Sequence, residues 1–430
     1  MIKICISFFL IIFLIGCSAD NKTGIWSKKK VINNNDKVVL FNKNNFLTSE
    51  VNSKIKIRLK ESYQKIDYSS IVQNNFKIQN YSGNLQETSE FKFPKIKNFN
   101  SKSAEIIISD DKSIVYFDGK GNIFKIDNNF DLLWKQNIYS KKERKQKLSL
   151  NFAKFKNKLI VTDNLSYYYL INFNTGDLIW KKKNSSAFNS QIKSDESKFY
   201  TADFENVLKC FSLKNGEELW SYKSENTLIK TPKKISIVLS KNKLVFLDAI
   251  GDVNAIDKDN GDLLWQSPTL ETNFIEDSFS LISSDLVLNK NFLYFSNNKN
   301  KFFKIDINNG SVLWKNNINS TVRPIIIDKI IFSITTNGFL AIIDNSTGKI
   351  LRFTDLKKNT DWNIKLKNNG FMIGKNKIFL LRNSGHLYTI DILEGQIIDQ
   401  KRLKRKKIAG PFIYEKFMYV VTENKIIKLN

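Results

Sequence analysis

The chain has 430 residues, with 68 Lys and Arg against 42 Asp and Glu, a formal charge of +26, three cysteines and one histidine. So few cysteines exclude a disulfide-stapled fold, and no His/Cys cluster or Gly-rich phosphate loop occurs anywhere. The length suits two or three ordinary domains or one large repeat domain. Lys, Asn, Ile and Phe are abundant throughout, and two dense basic runs stand out at 141–147 and 401–407.

Lys3 is followed by an apolar run, 4–15, which is too short to span a bilayer and has the shape of a secretory signal. It ends in Leu14-Ile15-Gly16-Cys17, which resembles the bacterial lipobox. That resemblance implies a signal peptide at 1–16, cleavage before Cys17 and a diacylglycerol on its thiol. Ser18 follows where Asp would imply inner-membrane retention, so sorting to the outer membrane is expected. Cys5 leaves with the signal, and Cys210 remains as a small strand residue in the place that Ala255 holds in its own repeat. Export disfavours nucleic acid as a partner. The basic runs read as solvated loops, or as surfaces drawn to anionic headgroups or an acidic partner.

Residues 17–85 are rich in Asn, Lys and Ser and carry no repeat; they read as a lipidated flexible tether with at most a weak amphipathic segment at 51–63. Phe91, Phe93 and Ile96 then alternate around Pro94, which an edge strand tolerates, so a strand is expected at 91–97.

From Ala104 one grammar repeats. In the third unit, 191–193 is a short inner strand, 198–202 the second, 207–211 the third and 218–220 the start of the outer one. The turn between second and third strands has a polar or Gly tip: Asp118…Gly121, Asp163…Ser166, Asp203…Asn206, Asp248…Gly251, Asn297…Asn300, Asn337-Gly338 and Ser384-Gly385. The turn before the outer strand ends in Gly176, Gly216, Gly261, Gly310, Gly348 and Gly395, separated by 40, 45, 49, 38 and 47 residues. Alternating apolar residues follow these turns, not the helical i, i+3, i+4 pattern, so each unit is a four-stranded propeller blade.

Seven complete units fall at about 104–138, 148–183, 188–223, 231–267, 280–317, 321–354 and 366–402. An eighth has only three strands, at 408–414, 417–422 and 425–429, and stops at Asn430, where the repeat's Asp would sit. An open blade would leave an unpaired edge. The strand before the first unit can close it, which makes residues 86–430 an all-β, eight-bladed β-propeller closed by an N-terminal strand.

The spacing Ala255-x-Asp257-x-x-x-Gly261-x-x-x-Trp265 resembles the tryptophan-docking repeat of PQQ-like eight-bladed propellers. The resemblance implies that Trp134, Trp180, Trp220, Trp265 and Trp314 pack between neighbouring blades and have no catalytic role. Lipobox, tether, repeats and closing strand together resemble the BamB family of outer-membrane assembly lipoproteins. That implies a non-enzymatic scaffold without a cofactor, lipid-anchored in the inner leaflet of the outer membrane and facing the periplasm. It would bind a POTRA domain of the BamA-type barrel subunit and assist delivery of unfolded outer-membrane β-barrel proteins. The family's partner patch, an apolar-x-apolar-Arg loop beside an Asp-x-Asp loop, matches loosely at Leu228, Ile229, Lys230 and at Glu276, Asp277, since Phe279 stands where the second Asp falls.

Two other readings exist. An envelope lipoprotein propeller could bind cell-wall or other periplasmic partners. PQQ-dependent dehydrogenases resemble this fold too, but carry a vicinal cysteine pair, acidic and Asn ligands for Ca²⁺ and a catalytic Asp; no Cys-Cys pair exists here, and His386 reads as a surface residue.

Overall fold

Each repeat folds as expected into a four-stranded antiparallel sheet whose strands run in sequence order from the propeller axis outward. A computed structural model of the chain describes residues 47–60, 63, 74–100, 106–224, 233–270, 280–358, 367–403 and 407–430. Blades 1 to 7 occupy 107–136, 150–183, 193–223, 237–267, 287–316, 325–355 and 368–402. Their second and third strands are buried almost throughout, because each is covered by the blades on both sides. The outer strands, such as Glu218–Lys223, are mostly exposed.

Strand direction alternates, so every blade presents two kinds of end. The first-to-second and third-to-fourth turns lie on one face of the ring, here the turn face. The second-to-third turns and the links between blades lie on the other, the connection face. On that face a carboxylate or amide organises the turns of blades 1 to 5 by accepting the N–H groups two and four residues on. Asp163 Oδ1 accepts from Leu165 and Tyr167 at 2.8 Å each, and Asn297 Oδ1 from Lys299 and Lys301 at 3.0 and 3.2 Å. The tip takes a positive φ whether it is Gly251 (92°), Ser166 (71°) or Asn206 (60°).

Blade 8 is made by Ile408–Tyr414, Phe417–Thr422 and Lys425–Leu429, with Glu87–Lys92 as its outer strand, antiparallel to Lys425–Leu429. The closing strand lies a few residues earlier than 91–97. Past Lys92 the chain turns over the blade: Phe93 N donates to Asn424 O, Pro94 lacks an N–H, and Ile96 N donates to Glu423 O.

Part of the segment assigned from sequence to a flexible tether packs against the propeller. Val51 forms an antiparallel bridge with Phe353 in the outer strand of blade 6, Ile57 N donates to Leu393 O, and Ile57, Ile78, Tyr81 and Leu85 are buried. Residues 51–60 form no helix. Their scattered apolar residues carry neither a period of two nor one of 3.6, so no pattern in the sequence announces the packing.

Candidate partner-binding face and central channel

The tryptophans hold together the blades that present any binding surface. Each lies on the turn glycine of the next blade: Trp134 on Gly176, Trp180 on Gly216, Trp220 on Gly261, Trp265 on Gly310 and Trp314 on Gly348. A β-carbon on Gly310 would meet Trp265 Cε3 at 2.5 Å, and the glycine's φ of +75° disfavours any side chain. Each indole N–H donates to a backbone carbonyl across the seam, as Trp134 does to Phe173 O at 2.9 Å and Trp265 to Ile307 O at 3.0 Å. Five seams thus share one joint.

The other three differ. In blade 6 the tryptophan position is Arg352, fully buried, with Nη1 donating to Leu393 O at 2.6 Å and to Ile55 O at 2.9 Å, and Nη2 to Ile392 O at 2.8 Å. In blade 7 it is Asp399, paired with Thr389. In blade 8 the register puts Ser89 there, opposite Lys428, and the facing turn of blade 1 carries Phe130 at φ 74° where other blades have Gly. Bulk has moved from the outer strand to the turn: Phe130 packs on Phe91 and Tyr419, with ring centroids 6.5 Å apart in each pair. Segment 47–60 spans the Arg352 seam and supplies one of its acceptors.

Residues 74–79 cross the innermost strands. Asn74, buried and at φ 57°, donates through Nδ2 to Leu286 O (2.8 Å), Gln191 Oε1 (3.0 Å) and Ile237 O (3.1 Å), and its Oδ1 accepts from the buried Lys193 Nζ at 2.7 Å. Asn75 Nδ2 donates to Ile326 O at 3.1 Å, and Gln79 pairs in parallel with Gly374. Blades 3 to 7 are all touched by this short stretch, which fills part of the central channel. At the channel's connection-face mouth, Phe76 lies under the Arg323 guanidinium at 4.2 Å, and Arg323 chelates Asp285 Oδ2 through Nη2 (2.6 Å) and Nε (3.1 Å). Burial pushes Asp285 up, but the Arg323 and Lys233 cations outweigh it and hold the carboxyl at about 2.

The proposed contact residues Leu228, Ile229, Lys230, Glu276 and Asp277 lie outside the described residues, as does Cys17. The feet of their two loops are described, and they are tied together. Lys233, at the end of the first loop, donates through Nζ to Ser283 O and to Ser284 O (2.9 Å), just after the second. A small cleft between these feet is lined by Lys233, Lys234, Asp248 and Ser283. Burial, reinforced by the Asp252 carboxylate, pushes Asp248 up to about 7. The loops themselves are assigned by resemblance to the family's partner patch. No local pattern in the sequence points to Lys233 or Asp285, whose partners are 50 and 38 residues away.

Of the residues an enzyme could use, Cys210 is fully buried, and burial pushes its thiol up to about 12. His386 is half-buried, not a surface residue: Nδ1 lies 2.6 Å from Ser384 Oγ and the ring stacks on Tyr388. Among the described residues no group of three or more His, Cys, Asp or Glu side chains is placed to share a metal ion.

Comparison with known proteins agrees with this geometry. The family model described as outer membrane protein assembly factor BamB matches residues 101–354. No curated protein matches the sequence. Among solved structures, BamB from Moraxella catarrhalis superposes with a TM-score of 0.65 at 13% identity, covering 80% of this chain and 99% of its own. The computationally designed Ika8 protein gives 0.59 at 14% identity, with coverages of 79% and 99%. Quinohemoprotein alcohol dehydrogenase from Comamonas testosteroni gives 0.60 at 11% identity, with coverages of 85% and 78%. At such identities the structures speak for the fold alone, whereas the family model spans more than half of the sequence. The chain belongs to the outer membrane protein assembly factor BamB family.

Proposed function

We propose that this protein is a non-enzymatic lipoprotein scaffold of the outer-membrane β-barrel assembly machinery. In this reading Cys17 carries the lipid that holds the propeller at the periplasmic side of the outer membrane. The loops at 225–232 and 274–280 receive a POTRA domain of the BamA-type subunit, and the protein assists delivery of unfolded barrel proteins. The observation that carries the reading is the Lys233 bridge to Ser283 and Ser284, which makes two neighbouring connections rise from one braced base. A small partner domain needs such a base: Leu228 and Ile229 form the desolvated anchor, with Lys230 and Asp277 as polar rim. The partly filled channel and the buried thiol of Cys210 favour a scaffold over the dehydrogenases that share the fold.

The test is a pull-down with the POTRA segment. Leu228→Asp with Ile229→Asp should abolish capture while circular dichroism and melting stay intact; a folded double mutant that still binds removes the loop assignment. In the same cells a carbonate wash should release Cys17→Ser, but not the unsubstituted protein, from the membrane to the soluble fraction. Retention after a carbonate wash removes the anchor.

A further inference from the structure

Two lysine runs far apart in sequence meet on the connection face. The link between blades 1 and 2 carries Lys141, Lys142, Arg144, Lys145 and Lys147, all exposed, around a short 3-10 turn at Glu143–Lys145. The outer strand of blade 2, Leu178–Lys183, ends at the same face in Lys181-Lys182-Lys183. Tyr167 joins them: its hydroxyl donates to Glu143 Oε1 at 2.8 Å, and Lys181 and Lys183 lie over its ring at 3.9 and 5.3 Å. Glu143 is the one acid in either run, and it is engaged twice more by Ser140, through N–H at 2.8 Å and through its own N–H to Ser140 Oγ. These hydrogen bonds hold its carboxyl at about 2, so it stays ionised and internally satisfied. Lys97 and Lys120 continue the sector over blades 8 and 1, where Glu423 is already paired with Lys95 at 2.9 Å.

We propose that this sector, blades 8, 1 and 2 of the connection face, binds an anionic phospholipid surface. Its chemistry favours lipid over an acidic protein. The cations are almost all lysines, which act as hydrated point charges without the planar fork that fixes a carboxylate in register. They spread across the ends of three blades, and among the described residues no exposed large hydrophobic side chain lies within 141–147 or 181–183 to act as the anchor a specific protein interface centres on. Exposed lysines near a membrane add attraction one by one. The proposal goes beyond the scaffold reading and stands apart from it: the POTRA loops belong to blades 3 to 5.

The test uses the full chain carrying Cys17→Ser, so that no acyl group contributes, and vesicles of phosphatidylcholine with or without one-third phosphatidylglycerol. The chain should co-sediment with the anionic vesicles only, and Lys141→Gln, Lys142→Gln, Lys145→Gln, Lys183→Gln together should weaken this by at least about tenfold. Removing the same charge from the turn face, by Lys214→Gln, Lys329→Gln, Lys349→Gln and Lys375→Gln, should change it by less than about twofold. Equal losses would show that only net charge matters, and would overturn the proposal. So would absence of binding, or binding to polyglutamate with none to vesicles, which assigns the patch to an acidic polypeptide. Amine labelling of the unsubstituted patch gives an answer independent of the variants: vesicles should protect 141–147 and 181–183 over Lys329 and Lys375, and uniform protection counts against it.

Discussion

Gly395 of blade 7 packs on the guanidinium of Arg352 of blade 6: a β-carbon on that glycine would lie 2.7 Å from Nη2. The same glycine position rests on an indole in five other seams. An indole offers one N–H and a large apolar face, whereas the arginine offers a flat cation with several donors. It can therefore satisfy the Ile392 and Leu393 carbonyls and also reach Ile55 O in the N-terminal segment.

Replacing that arginine separates the two jobs. Arg352→Ala removes the donors of three carbonyls and opens a gap under Gly395, and should cost about 3–5 kcal/mol. Arg352→Trp should recover much of the melting temperature by restoring an indole on Gly395. Both variants lose the donor to Ile55 O, so both should become sensitive to protease within 47–60. If Arg352→Trp keeps that segment protected, the arginine is not what clips it down.

The connection-face carboxyls give the protein a pH dependence of definite sign. Burial pushes Asp248 to about 7 and Asp163 to about 6, the latter against a hydrogen bond from Tyr139. A carboxyl raised on folding favours the folded state below its unfolded pKa of about 4, and that contribution disappears as pH rises through the folded value. Asp111, Glu143 and Asp285 are held low and titrate outside this window. Stability should therefore fall between pH 4.5 and pH 8, each pH unit of differing protonation being worth about 1.4 kcal/mol. Asp248→Asn keeps an acceptor for Ile250 and Asp252, as Asn297 does in blade 5, and should flatten the slope measured by denaturant titration. An unchanged slope would show that Asp248 titrates normally.

The closing strand and the channel segment make different demands. Deleting 86–98 leaves Lys425–Leu429 with one unpaired edge and should cause aggregation as well as a lower melting temperature. Asn74→Ala leaves all edges paired but takes the Oδ1 acceptor from the buried Lys193 and a donor from the Leu286 carbonyl. A loss of about 1–3 kcal/mol without aggregation is expected. Thermal unfolding followed by light scattering separates the two. Similar scattering from both variants would mean that edge pairing is not what the N-terminal strand supplies.

How far the sequence carried differs by level. The bounds of blade 8, at 408–414, 417–422 and 425–429, agree residue for residue with the strands observed, because turn chemistry and period-two alternation are local signals. The tryptophan positions were readable for the same reason. The arginine joint was not: Arg352 looks like a defect in the repeat until Ile55, 297 residues away, is seen to accept from it.

Nor was the path of residues 47–60 and 74–85 readable. Their buried residues follow no period, since they fill gaps left by other elements and build no sheet of their own. What the sequence determined by itself is the blade: Asp or Asn at the start of a turn, Gly or a polar residue at its tip, an aromatic closing the outer strand. These act over a few residues, through backbone geometry and hydrogen bonding. Only the tertiary structure decided what fills the channel, which seams need a clip, and which lysines share a surface. Those depend on distances between side chains that ring closure brings together, and a linear pattern holds no record of them.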